Sequence, residues 1–520
     1  MASSQEVSRP HPAGESQKAL SREIPGVSSV DTFGGKVEVR WDSDAAVTAF
    51  GQMPYFIEFL KTADLFEPWV ADCPLSYRSP NAPDKRDVLG TILLSVLAGH
   101  QRYAHINALR GDGVNPELLR MSKVVSEDSV RRAFEPVAEG ACRDWCRRHL
   151  SKTHEGLLRE PWILDIDSTV KPLYGHQEGA RRGYNPAKPG RPSHVYHTYF
   201  AANVRLVLGV EVQPGNQTAA AYAQPGLWKF WDTLAAECRP AFVPGDVSWG
   251  NEAVLAEAER RGAPYLFKLR QSGGVKKLIE RLFRSGDWVP AGQGWEGVKA
   301  ELQLEGWSRR RQVLVLRRQV PREGVVSEID PAAPKQLSLG LAEITDRGVV
   351  YEYAVLVTSL EEEIFTLAQH YRDRAGAENN FDELKNQWGW AGFTTHDWKR
   401  CQLMAEVTAL VYNWWTLFTW MAVGHKHAEA ITTRPLLLAG IARRTRHAHQ
   451  LTVTITNLHA QARRARELLA AGSRFLQWVK ATAEQWNSEQ RWRLILSYIF
   501  RYFLRGRIIG STARLTPTFL

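Results

Sequence analysis

The stretch "PWILDIDSTVKPLYG" predicts a strand: Trp162, Ile163, Leu164 and Ile166 are its apolar core, and alternation puts Asp165 and Asp167 on one face. A loop rich in Gly, Pro and cations, "GHQEGARRGYNPAKPGRPSH", leads to two strand-like runs, "VYHTYFAANV" and "LVLGVEVQPG". Next come a helix, "GLWKFWDTLAAEC", a strand, "AFVPGD", a helix, "NEAVLAEAERRG", and a strand, "PYLFKLR". Strands in series, then alternating with helices, predict a mixed α/β layer over residues 156–270. From 271 to 360 the pattern turns β-rich, with "RRQVLVLRRQV" and "VVYEYAVLVTSL" on either side of the Pro-rich "PREGVVSEIDPAAPK". This reads as an insertion in the layer, which resumes over 361–425.

Helical patterns flank the layer. Residues 40–155 include the apolar "DVLGTILLSVLAG" and the basic "SEDSVRRAFEPVAEGACRDWCRRHL", started by Ser126 with Asp128. Their order loosely resembles a helix-turn-helix and suits a DNA-binding region. Residues 426–520 read as helical to the end, with basic clusters "RRTRH" and "RRAR" suited to DNA binding or dimerisation. Residues 1–39 are mostly polar and open on a Pro/Ser-rich stretch, which predicts a disordered tail without a signal peptide. The run "VTALVYNWWTLFTWMAVG" approaches bilayer length, but Asn413, the preceding Glu406 and three threonines predict a buried core helix and no membrane partner.

In "YRDRAGAENNFDELKNQW", residues 371–388, Tyr371, Arg374, Glu378 and Lys385 recur at offsets that gather them within roughly 60° of a helix circumference. Ala377, Phe381, Leu384 and Trp388 take the neighbouring arc. Such a helix buries one side and offers a carboxylate flanked by an aromatic and two cations on its edge.

Charge narrows the partner. The 520 residues carry 66 Lys and Arg against 56 Asp and Glu, a net charge of +10, and favour a polyanion, nucleic acid before membrane. Five cysteines without a CxxC pair suit a reducing cytoplasm and exclude a disulfide framework. Phosphate-tracking cations are on offer in the first loop, at Lys171, Arg181, Arg182, Lys188 and Arg191.

Asp167, Asp246 in "VPGDVSWGNE", and Glu378 place three acids at the edges of one α/β layer. Carboxylates brought together repel unless a cation joins them, and hard oxygen ligands select Mg²⁺ or Mn²⁺. Two such ions clamp the attacking and leaving oxygens of a phosphodiester. Asp165 competes for the first position, and the Asp-x-Thr spacing to Thr169 favours Asp167.

These residues carry a family resemblance. The order Asp167, Asp246, Glu378 resembles the DDE triad of RNase H-like transposases, and Tyr371, Arg374, Glu378 and Lys385 match the Y-(2)-R-(3)-E-(6)-K signature of bacterial insertion-sequence transposases of the IS-four superfamily. "YRDRAGAENNFDELKNQWGW" with a following "LVYN" is most similar to the IS-thirteen-eighty branch; the similarity covers about residues 160–420. The second-acid segment departs from relatives, with Val247, Ser248 and Trp249 after the Asp.

The resemblance implies an α/β fold with an RNase H-like mixed sheet, a β-rich insertion and helical ends. It implies cleavage at inverted-repeat ends of double-stranded DNA, then joining to target DNA, by a bacterial, nucleoid-associated homodimer on paired ends. Asp167, Asp246 and Glu378 would hold two Mg²⁺ or Mn²⁺ ions, Arg374 and Lys385 the phosphate near the cut, with Tyr371 beside them. The insertion would lie over the site, with Trp307 stacking on an extruded base ahead of Arg309 and Arg310, and Trp295 as second choice. The alternatives are an RNase H-like structure-selective nuclease and a non-catalytic DNA-binding protein derived from a transposase.

Overall fold

A computed structural model describes residues 27–77, 79, 81–217, 222–285, 287–320, 343–344, 350–424, 427–482 and 485–515, with the side chains of 284–285, 343–344 and 375–378 excepted. The described residues up to Ala46 form a unit of their own. In it, β1 (Val27–Thr32) and β2 (Gly35–Arg40) make an antiparallel hairpin inside the stretch expected to be a tail. Gly35, at φ +104°, makes its turn.

The second unit begins with β3 (Val47–Thr48) and the helices α1 (Met53–Thr62), α2 (Phe66–Ala71), α3 (Lys85–Leu97), α4 (Asn115–Leu118), α5 (Glu127–Ala133) and α6 (Glu139–Lys152). Ser126 caps α5 by accepting from Ser129 N at 3.2 Å. The single basic helix expected from 126 onward is two helices, because Pro136 between them has no N–H to continue the ladder.

The layer then follows. β4 (Leu164–Pro172), β5 (Ser193–Ala201) and β6 (Leu206–Pro214) are antiparallel neighbours. After α7 (Gln224–Thr233) come β7 (Val243–Gly245), α8 (Glu252–Arg261) and β8 (Tyr265–Lys268), with β7 and β8 parallel. A parallel bridge between Ile163 and Phe242 sets β7 beside β4. Three antiparallel strands continued by two parallel ones make the RNase H-like arrangement.

The insertion opens with α9 (Gly273–Ser285) and continues with β9 (Val289–Gly292), β10 (Trp295–Leu302), β11 (Arg311–Val320), β12 (Glu343–Ile344) and β13 (Val350–Thr358). Its strands are no separate layer: β13 pairs with β8, and the sheet runs β7-β8-β13-β11-β10-β9. Arg311, with 1 % of its side chain exposed, locks it to α8 by pairing with Glu252 at 2.5 Å and Glu259 at 2.7 Å.

Two helices, α10 (Ile364–Asp373) and α11 (Ala375–Gln387), replace the single signature helix and meet at Arg374. As the pattern requires, Phe381, Leu384 and Trp388 are buried. Helix α12 (Trp398–Val423) is buried on every side. On one flank, Gln402 and Asn413 bond the backbone of β6 at Val210, Val212 and Val207. Among the described residues no helix is long and apolar enough to cross a membrane.

After α13 (Ala430–Leu437), the hairpin β14 (Ala442–His447) and β15 (Gln450–Ile455) breaks the expected all-helical end, and β14 pairs with β3. The cluster "RRTRH" lies on β14, where Arg444 and Arg446 both pair with Glu117. Helices α14 (Ala462–Ala481) and α15 (Ser488–Ile499) turn Leu469, Phe475, Leu476, Ile495 and Ile499 into the intrachain core.

Candidate active site

The register across β4 and β7 builds the site. Asp167 lies four residues beyond Ile163, and Asp246 four beyond Phe242, so the two acids leave equivalent points of adjacent parallel chains. Chains so placed are about 5 Å apart. Asp246 is fixed by a turn: its Oδ1 accepts from Ser248 N at 2.8 Å and Ser248 Oγ at 2.5 Å. Trp249 is buried: a Cβ on Gly245 would meet its Cγ at 2.7 Å and the Phe267 ring at 2.6 Å. This close packing holds the turn against the sheet.

Asp165 shares the face of Asp167 but lies deeper, 2 % exposed. Its carboxyl oxygens have no hydrogen-bond partner among the described residues. Burial pushes its pKa up to about 7, opposed by Arg374 and reinforced by Asp167. Asp167 is half-buried, and its Oδ1 accepts from Ser168 N at 2.7 Å.

The junction of α10 and α11 brings a cation to these acids. Arg374 keeps helical angles, φ −61° and ψ −29°, and lies 3.6 Å from Asp165 Oδ1 and 3.9 Å from Asp167 Oδ2. Burial alone would weaken its charge; Asp165, Asp167 and Asp246 outweigh that and hold it protonated. Tyr371, one turn earlier, packs against the cluster of Phe242, Leu266 and Leu367. Glu378 lies one turn after Arg374 on α11, and its side chain is outside the described residues. Lys385, two turns further, is half-buried.

Among the described residues no group of three His, Cys, Asp or Glu could hold a metal ion. The described side chains supply Asp167 and Asp246 as neighbours, with Asp165 beneath, and the backbone of α11 brings Glu378 into the next turn. Asp167, Asp246 and Glu378 offer oxygen donors alone, with the unbonded carboxyl oxygens of Asp165 beneath them, and such a set fits a hard divalent cation.

The other candidate residues fall elsewhere. Trp307 is 8 % exposed, with the Arg311 guanidinium 5.1 Å from its ring centre, so a stacked base would have to displace a buried cation. Its burial makes it a packing residue of the insertion as the chain stands. Arg309 pairs with Glu259 at 2.9 Å and Arg310 with Glu301 at 3.4 Å. Trp295 is half-buried, beside the cluster that holds Tyr371, with Arg318 5.0 Å from its ring centre. Lys171 is buried, donating to Tyr196 Oη at 3.1 Å and to Gly392 O at 2.5 Å, and is no surface cation. Lys188 and Arg191 are exposed.

One neighbour of the site has no sequence signal. Arg205, in the β5–β6 turn at φ +57°, donates to the buried Asn380 of α11 and contributes to the field at Asp165.

The family model for the transposase DDE domain, group 1, matches residues 76–475. A cryo-EM structure of a piggyBac transposase synaptic complex with hairpin DNA is similar over 92 % of this chain and 91 % of that one, with 10 % identity and a TM-score of 0.38. No curated protein matches.

Proposed function

The chain belongs to the DDE-domain transposases, group 1, and from that premise we propose that it cuts DNA at the inverted-repeat ends of an insertion sequence and joins those ends to target DNA. The observation that carries this reading is the pair Asp167 and Asp246, set side by side by β4 and β7, with the Arg374 junction against them.

Asp167, Asp246 and Glu378 would hold two Mg²⁺ or Mn²⁺ ions, which when bound activate the attacking oxygen and stabilise the leaving one. Arg374, held charged in a buried setting, and Lys385 orient a non-bridging phosphate oxygen, and Tyr371 supports Arg374 from α10. Trp295, half-buried beside the cluster that holds Tyr371 and less enclosed than Trp307, is the better candidate for contact with the DNA end. The signature residues favour the IS-four superfamily and its IS-thirteen-eighty branch. Because both ends must be held together, the active form is a homodimer on paired DNA ends in the bacterial nucleoid.

The test incubates the protein and Mg²⁺ with labelled linear DNA carrying the element's end. Cut and joined products support the reading. Cutting without joining would favour a structure-selective nuclease, and binding without cutting a non-catalytic descendant.

A further inference from the structure

The loop between β4 and β5 carries a feature that the chemistry above does not use. Tyr174 stands two residues past the end of β4 with 68 % of its surface exposed. Two cations from the far end of the loop hold its ring: Lys188 Nζ lies 5.0 Å from the centroid and Arg191 Cζ 4.6 Å from it. Lys188 also donates to the phenol oxygen. A cation against an aromatic ring is attracted to it, so with Arg191 against the ring and Lys188 at its hydroxyl the three side chains brace one another while most of the ring stays in solvent.

The loop is firmly built. Lys188 N donates to the buried Asn185 at 3.0 Å, and Glu178 N to His396 O at 2.9 Å. A Cβ on Gly183 would sit 1.8 Å from Gly215 O, so the backbone there is pressed against the end of β6. Lys188, Arg191, Arg181 and Arg182 are all exposed, and none forms a salt bridge with a carboxylate among the described residues. Glu178, the loop's own acid, instead accepts from Trp398 N at 3.0 Å.

An open aromatic ring flanked by unneutralised cations matches the chemistry of an unpaired nucleotide: a base face for the ring and phosphates for the cations. Duplex DNA covers its base faces and would engage the cations alone. Resting on the reading of this chain as a DNA-cutting enzyme, we propose that Tyr174, with Lys188 and Arg191, is a stacking clamp for an unpaired nucleotide of the bound DNA. Pro172 follows Asp167 by five residues along β4, a distance of about 17 Å.

The experiment uses the full chain without divalent metal, so that DNA is bound and left uncut. Anisotropy is measured with a blunt duplex and with the same duplex bearing a short single-stranded tail, for wild type, Tyr174→Ala, Tyr174→Phe and the double variant Lys188→Ala with Arg191→Ala. Wild type should prefer tailed DNA. Tyr174→Ala should weaken tailed DNA by about five- to 150-fold and blunt DNA by less than about twofold, while Tyr174→Phe keeps the preference. The double cation variant should weaken both DNAs and flatten their salt dependence. In wild type, 5-iodouracil in the tail should crosslink to Tyr174. If Tyr174→Ala binds both DNAs as wild type does, or loses both equally, the clamp is wrong. A chain that binds no DNA overturns the clamp and the functional reading together. A Tyr174-dependent preference in a chain that never cuts its DNA with Mg²⁺ leaves the clamp standing and overturns the functional reading alone.

Discussion

Arg374 Nε lies 3.6 Å from Asp165 Oδ1, close enough to neutralise and too far to hydrogen-bond. Asp165 therefore keeps most of its burial penalty, with a pKa pushed up to about 7. A carboxyl near half-protonation at neutral pH resembles an amide in charge and shape, so Asp165→Asn should keep cleavage within about tenfold of wild type. Asp167→Asn, by contrast, should lose about 4 kcal/mol of charge stabilisation, about a thousandfold in rate. Single-turnover cleavage of end DNA in Mg²⁺ measures both. A dead Asp165→Asn beside an active Asp167→Asn would move the first metal ligand to Asp165, and equal loss would give both acids a part.

The same guanidinium balances Asp165, Asp167 and Asp246. Arg374→Ala leaves those carboxylates facing one another, so its melting temperature without metal should fall, and saturating Mg²⁺ should raise it by more than in wild type. The comparison reads stability alone and is independent of DNA. An equal Mg²⁺ shift in the two proteins would place the ions away from Arg374.

Arg311 links the insertion to α8 through Glu252 and Glu259. Burial alone would raise the Glu259 pKa, but hydrogen bonds from Arg311, Arg309 and Tyr265 outweigh it and bring it down to about 2. An acid with a depressed folded pKa contributes stability in full above its unfolded value, near 4.5, and loses it as pH falls toward 2. Wild type should therefore lose stability between pH 4.5 and 2 more steeply than Arg311→Met. At pH 7, Arg311→Met should cost about 3 kcal/mol, because breaking a buried pair leaves its partners uncompensated. Urea melts across that range check both statements; parallel pH curves would mean the pairs add nothing.

Much of this site could be read from the chain because it rests on local periodicity. Alternation placed Asp165 and Asp167 on one strand face, and the 3.6-residue period buried Phe381, Leu384 and Trp388. What escaped depends on contacts remote in sequence or on backbone without a residue signature. The β14–β15 turn uses Ala448 at φ +51°, a conformation that Gly or Asn would have announced. Arg311 covers Trp307 from the next strand, a contact that "WSRRR" does not announce. The interruption at Arg374 leaves φ and ψ helical, and no Pro or Gly marks that residue.

Metal dependence offers a direct check on the chemistry. Mg²⁺ or Mn²⁺ should support cutting, whereas Ca²⁺, larger and looser in coordination, should allow DNA binding with little cleavage. Strong cutting in EDTA would sink the two-metal reading.

Helix α12 yields the last prediction. Its Asn413 Oδ1 accepts from Val207 N at 2.9 Å, and Nδ2 donates to Val207 O at 2.8 Å and to Thr153 Oγ1 at 2.9 Å. Gln402, eleven residues earlier and so on the same helix face, repeats the arrangement with Val212 N and Val210 O. Strand β6 forms the edge of its sheet, and these two amides satisfy backbone groups that a further strand would otherwise bond. Asn413→Leu has similar volume and suits an apolar helix, yet it strands a buried N–H and C=O, which should cost about 2 to 4 kcal/mol. The damage should appear as faster hydrogen exchange at Val207 and its neighbours in β6, with β4 less affected. If Asn413→Leu is as stable as wild type and the β6 amides stay protected, the strand is held by packing alone.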